Sequence, residues 1–149
     1  MAAIWGIDDP LLRGDHGDSV SVPDPAAPDS IVRHILFLDG AGRATPYSST
    51  TEDEPTARIF AGRDGRVWFT LVDRIQTAEL RYISNSELLG LLRGKGKGAA
   101  AWPKASEVLL ARARAEEWGE HLIDFRALKG RAAADVKTTV DVLFTKERP

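Results

Sequence analysis

Residues 66 to 73, Arg-Val-Trp-Phe-Thr-Leu-Val-Asp, form the most secure strand signal in the chain. β-Branched and aromatic side chains suit a pleated, half-buried surface, and Arg63-Asp64-Gly65 ahead of them reads as a turn. Helix signals flank this strand on both sides. Before it, Thr51-Glu52-Asp53-Glu54 has the S/T-x-x-E form of a capping box, leading into a short helix with Ala57, Ile59, Phe60 and Ala61. Pro55 fits only in the first turn of that helix. After the strand, a second helix is predicted to start at Ser84 or Ser86, run through Leu88, Leu89, Leu91 and Leu92, and break at Gly94-Lys95-Gly96-Lys97-Gly98.

The remaining segments are read around this frame. Gly14, Asp15, Gly17, Asp18, Pro23, Asp24, Pro25, Pro28 and Asp29 make residues 13 to 30 an irregular crossing segment. The apolar run Ile31 to Leu38 fits a helix or a strand and ends in a loop at Asp39-Gly40-Ala41-Gly42. From Ala105, propensity makes Glu107 to Trp118 an amphipathic helix. An Ala-rich stretch followed by Val140 to Phe144 reads as a C-terminal helix, and no internal repeat is found.

The 149 residues suffice for one domain, 1–149, whose core buries roughly two-thirds of the surface of the unfolded chain. With 43% hydrophobic and 28% charged residues, the composition is that of an ordinary globular protein rather than a disordered one. No apolar run approaches the roughly 20 residues of a spanning helix, so no membrane partner is expected. Twenty basic against 22 acidic residues give a net charge of −2, which supplies no overall field for nucleic acid. The absence of cysteine excludes a disulfide framework or thiolate metal site, and three scattered histidines do not suggest a zinc site, so no metal is expected. The N-terminus lacks the basic start and apolar core of a signal peptide, which implies synthesis in a cytoplasm.

Three short segments carry candidate chemistry. In Leu11-Leu12-Arg13-Gly14-Asp15, the guanidinium of Arg13 has a planar fork that matches phosphate oxygens, although a surface arginine in a turn is the plainer reading. In Tyr47-Ser48-Ser49-Thr50-Thr51-Glu52, the hydroxyls suit either a ligand site or a helix N-cap, and Thr51 can cap while Ser49 faces a ligand. In Ser106-Glu107-Val108-Leu109-Leu110, Glu107 is either a placed carboxylate or a solvated residue that favours a helix dipole.

In order and spacing these segments resemble the ADP-ribosyltransferase toxins of the cholera-toxin type. The resemblance implies an α+β fold of two packed, mainly antiparallel sheets around a cleft that holds NAD as substrate, and it makes the Glu107 segment a strand, with Leu122 to Arg126 as a further one. Arg13 with Gly14 would anchor phosphate and ribose, Ser49 with Thr50 and Thr51 would organise the cleft, and Tyr47 or Phe60 would stack near nicotinamide. Glu107 would be catalytic, stabilising the oxocarbenium-like ribose and holding its 2′-hydroxyl. Arginine-modifying members carry glutamate two residues earlier, where this chain has Ala105. Three outcomes stay open: a different acceptor, water as acceptor in an NAD glycohydrolase, or an alanine standing for a natural acidic residue.

His34 offers a rival first motif with Tyr47 and Glu107, as in the diphtheria-type class. The biology implied is a toxin or effector domain, delivered by a secretion system, acting on an unknown acceptor macromolecule and restrained by a cognate immunity protein. The alternative from another class is a non-catalytic binding or immunity module. Gly94 to Gly98 lacks the Gly-Lys-Ser/Thr ending of a phosphate loop and reads as a mobile basic loop able to touch a nucleotide or an acidic target. Trp5, Trp68, Trp102 and Trp118 read as core or interface residues, with Trp102-Pro103 a candidate acceptor-recognition loop.

Overall fold

The computed structural model describes residues 5–6, 9–16, 19–36 and 44–146, so the predicted loop Asp39 to Gly42 lies outside the described residues. The fold is α+β, with a six-stranded sheet and helices on both of its faces. The strands are β1 (Pro10–Asp15), β2 (Tyr47–Thr51), β3 (Arg66–Leu71), β4 (Arg81–Ile83), β5 (Glu120–Asp124) and β6 (Thr145–Lys146). They run in the order β4-β5-β2-β1-β3-β6, and every neighbouring pair is antiparallel.

This sheet corrects the expectation of two packed sheets, and its register explains the difference. β1 and β3 are joined from Pro10↔Leu71 to Asp15↔Arg66, and β2 and β5 from Tyr47↔Asp124 to Thr51↔Glu120. β1 and β2 meet at the single pair Leu12↔Thr51. Two three-stranded halves are therefore fastened at one point, and beside it the strands are free to part.

One face of the sheet carries α1 (Ile31–Leu36), α4 (Asn85–Leu91) and α5 (Ala105–Glu117). Their Ile31, Ile35, Leu88, Val108, Ala111 and Ala115 pack with Leu122 of β5. The other face carries α3 (Val72–Thr77) and α6 (Ala133–Leu143), whose Ile75, Val140 and Leu143 pack with Ile123. Adjacent β5 residues thus enter opposite cores, as the two-residue strand period requires. The segment after Ala105 is a helix, as its Ala, Leu, Arg and Glu content directs, and not the strand that the resemblance implied. Val108, Ala111 and Ala115 fall on one face by helical spacing, and Gly119 at φ 54° ends the helix before β5.

Helix α2 (Glu54–Ala61) lies against β1. Its N-cap is Asp53, whose carboxylate accepts from Thr56 N (3.1 Å) and Thr56 Oγ1 (2.5 Å), so the predicted capping box from Thr51 does not form. Thr51 is instead drawn across to β5, donating its hydroxyl to the Trp118 carbonyl. A Cβ on Gly14 would lie 1.8 Å from the Ala57 carbonyl oxygen and 2.5 Å from Ala61 N. Only a glycine lets α2 approach β1 so closely. Gly14→Ala is therefore expected to cost about 3 kcal/mol through overpacking against backbone, measured as a drop in the urea midpoint. Unchanged stability would show that α2 can shift freely.

Candidate functional site

A cavity of about 500 Å³ opens where the two halves of the sheet part. Its wall includes Leu12 to His16 of β1 and its end, Ser49 to Thr51 of β2, Phe60 of α2, Arg114 and Trp118 of α5 and its cap, and Glu120 of β5. The antiparallel register pairs Ser49 with Leu122, so Glu120 sits two residues along the same strand face and reaches Ser49 diagonally.

The polar centre is continuous. Ser49 Oγ donates to Glu120 Oε2 at 2.5 Å, and its oxygen lies 2.6 Å from His34 Nε2. With the single Ser49 proton committed to Glu120, Nε2–H of His34 donates to Ser49, and Nδ1 accepts from Thr45 Oγ1 at 2.9 Å. Arg13 donates from Nη1 to the Ser49 carbonyl at 2.9 Å and from Nε to Asp15 Oδ2 at 2.7 Å. Asp15 also accepts from Ser21 N and Oγ, which fixes the carboxylate and, through it, the guanidinium.

Burial sets the charge states. Glu120 is 4% exposed, and desolvation pushes its carboxyl up to about 7 against the opposing pull of the Ser49 hydrogen bond and the Arg13 charge. His34 is held down to about 3, first by burial and then by the nearby Arg13, so it is a neutral hydrogen-bonding group. Glu120 Oε1 is buried without a protein hydrogen-bond partner. Beside the cavity, Glu120 thus has one oxygen anchored and the other enclosed with an unmet demand for a donor.

The structure gathers Arg13, Gly14, Ser49, Thr50, Thr51 and Phe60 of the predicted site around this one cavity. Glu107 is not among them. It occupies the first turn of α5 and accepts from Trp102 Nε1 at 3.0 Å, about 16 Å along the helix from Trp118. The rival set of His34, Tyr47 and Glu107 fails for the same reason. Tyr47 does not line the cavity. It is 2% exposed in the core, edge-on to His34 at 5.6 Å, and burial raises its phenol to about 12. Phe60 is on the wall, beside Trp118 and edge-to-face with it at 5.2 Å.

Glu120, Asp15 and Trp118 are the site residues that the sequence reading missed or left without a role. A signal for Glu120 existed: Gly119 marks a turn, and Glu120 then opens the apolar run Leu122-Ile123. Comparison of the chain with known protein families, curated proteins and solved structures finds no match.

Proposed function

We propose that this chain cleaves NAD as an ADP-ribosyltransferase-like domain in which Glu120, rather than Glu107, is the carboxylate at the ribose. The observation that carries the reading is the hydrogen-bonded set Arg13, Ser49 and Glu120, drawn from three strands to one cavity with Glu120 Oε1 unpaired. Order along the chain supports it too: arginine on β1, serine on β2 and glutamate opening β5 match the motif order of the family that the sequence resembles.

The chemistry follows from these groups. As the bond between ribose C1′ and the nicotinamide nitrogen breaks, its electron pair neutralises the pyridinium charge and leaves positive charge on the ribose. Glu120, ionised and held by Ser49, stabilises that charge, and substrate entry that parts the strands beside the cavity brings the 2′-hydroxyl to the enclosed Oε1 as its donor. Arg13, with its guanidinium braced by Asp15, offers charge to a substrate phosphate. His34 keeps Ser49 oriented from behind. Attack on C1′ by the acceptor's nucleophilic atom then forms the new bond, and the acceptor's proton leaves to solvent.

The residue two before Glu120 is Trp118, which lines the cavity but has no acid or base to activate a nucleophile. That observation favours a second reading, an NAD glycohydrolase with water as the acceptor. The toxin or effector role, with delivery by a secretion system and a cognate immunity protein, rests on the resemblance alone.

The test is nicotinamide release from NAD by the purified chain across pH, with and without cell lysate as acceptor source. Because Glu120 acts as the anion, kcat/KM is expected to rise with one deprotonation whose midpoint lies near the free-enzyme value of about 7. Stimulation by lysate indicates transfer, and independence from it indicates hydrolysis. Absence of both release and calorimetric NAD binding would overturn the reading in favour of a non-catalytic module.

A further inference from the structure

The glycine- and lysine-rich segment after α4 is a built surface rather than a mobile loop. Gly96 N donates to Arg93 O (2.8 Å), Lys97 N to Leu91 O (2.9 Å), Ala100 N to Lys97 O (2.9 Å) and Trp102 N to Lys95 O (2.8 Å). Gly96 has φ 77°, and a Cβ there would lie 1.9 Å from the Ala100 carbonyl oxygen. Ala100 itself is fully buried in the core with Leu88, Leu92 and Val108. The turn is thus tied at both ends and in its middle.

This scaffold holds Arg93, Lys95, Lys97 and Lys104 exposed to solvent. The chain has no carboxylate between Glu87 and Glu107, and those two are engaged, Glu87 by Arg81 and Glu107 by Trp102. None of the four cations forms an ion pair among the described residues. Lys104 is moreover the N-cap of α5, where the helix dipole disfavours positive charge. Within a chain of net charge −2, a patch of four like charges on a fixed scaffold is an electrostatic cost that no ion pair among the described residues offsets.

Beside the patch, the first turns of α5 expose two leucines, Leu109 at 68% and Leu110 at 47%. Nucleic acid phosphates would use the cations and leave the leucines in water. An apolar centre with a charged rim is instead the anatomy of a protein interface. We infer that the 93–104 turn and the outer face of α5 form a docking surface for an acidic protein segment that seats apolar side chains on Leu109 and Leu110 and carboxylates on Arg93, Lys95, Lys97 and Lys104. Along α5 this surface runs from Lys104, about 21 Å from Trp118, to Leu110, about 12 Å from it.

The probe is a fluorescent helical peptide with a leucine stripe flanked by glutamates, titrated into the full chain and followed by anisotropy and by amide shifts of the labelled protein. Its glutamine counterpart, a DNA duplex and phosphatidylserine vesicles are titrated in parallel. The acidic peptide is expected to bind with shifts confined to residues 93–98 and 104–110. Affinity should fall about tenfold on raising salt from about 0.05 to 0.3 M, as exposed ion pairs require. It should fall by at least as much for Lys95→Glu/Lys97→Glu and for Leu109→Ser/Leu110→Ser, each checked for folding by circular dichroism. Equal affinity in either variant, equal binding of the glutamine peptide, tighter binding of DNA or vesicles, or no binding at all would overturn the inference.

Discussion

Glu120→Gln is expected to lower nicotinamide release about 10²- to 10³-fold, while Glu107→Gln leaves it at the wild-type level. The amide is nearly isosteric, and its carbonyl still accepts from Ser49, so the cavity keeps its shape and loses only the anion. Without the anion, the positive charge that develops on the ribose faces a neutral wall and the fixed charge of Arg13. Glu107→Gln likewise keeps an acceptor for Trp102 Nε1 and changes nothing on the cavity wall. Steady-state assays of the two variants at pH 8, where the wild-type carboxyl is ionised, make the comparison. A larger loss in the Glu107 variant would remove the basis for placing the reaction at β5.

The two glutamates show how far the site was legible. Both precede apolar residues, Val108-Leu109-Leu110 and Leu122-Ile123, and in short windows such runs fit helix and strand alike. What separates them is the longer context. Glu107 opens a stretch rich in Ala, Leu, Arg and Glu that holds helical spacing to Ala115, whereas Glu120 follows a glycine in the left-handed region and opens a fully buried strand. The resemblance of Glu107-Val108-Leu109-Leu110 to a family motif points against that local evidence. Arg13 and Ser49 stood out by motif resemblance, whereas local pattern put Arg13 at the start of an irregular segment, and it lies within β1 because pairing with β3 extends the strand to Asp15. The hydrogen bonds that make them a site join residues 36 and 71 positions apart, which no local pattern encodes.

Elements whose signals are local fared better than those that depend on partners. The β3 strand, the Ser84 N-cap and the Ala133–Leu143 helix follow from propensity and turn chemistry. The capping box did not form because the helix begins two residues later: Thr51 Oγ1 accepts from Asp53 N, short of the helix, and Asp53 accepts from Thr56 N as the cap. β3 was read two residues too long because Val72 is as suitable for a strand as for the first turn of α3, where its burial against the second core decides. The basic turn looked mobile by composition. It is fixed by hydrogen bonds to Leu91 and Trp102 that glycine and lysine content does not reveal.

The stability of the fold should carry two opposing titrations from the same cavity. Glu120 is raised from 4.5 to about 7, so between these values the folded state holds more protons than the unfolded state, and this group's contribution declines as pH rises. His34 is lowered from 6.5 to about 3, so between these values the unfolded state holds more protons, and its contribution grows as pH rises. From pH 4.5 to 6.5 the two slopes oppose each other, and this pair leaves stability nearly flat. Glu120→Gln removes one side: stability is then expected to climb by about 3 kcal/mol across that window, since each pKa unit is worth about 1.4 kcal/mol. His34→Gln removes the other side and should show a decline of about 3 kcal/mol from pH 4.5 to 7. Urea unfolding at closely spaced pH values measures these slopes independently of any absolute cost of the substitutions. Parallel pH profiles for the wild type and both variants would mean that the two groups are hydrated in solution and that the Ser49, His34 and Glu120 hydrogen bonds do not persist.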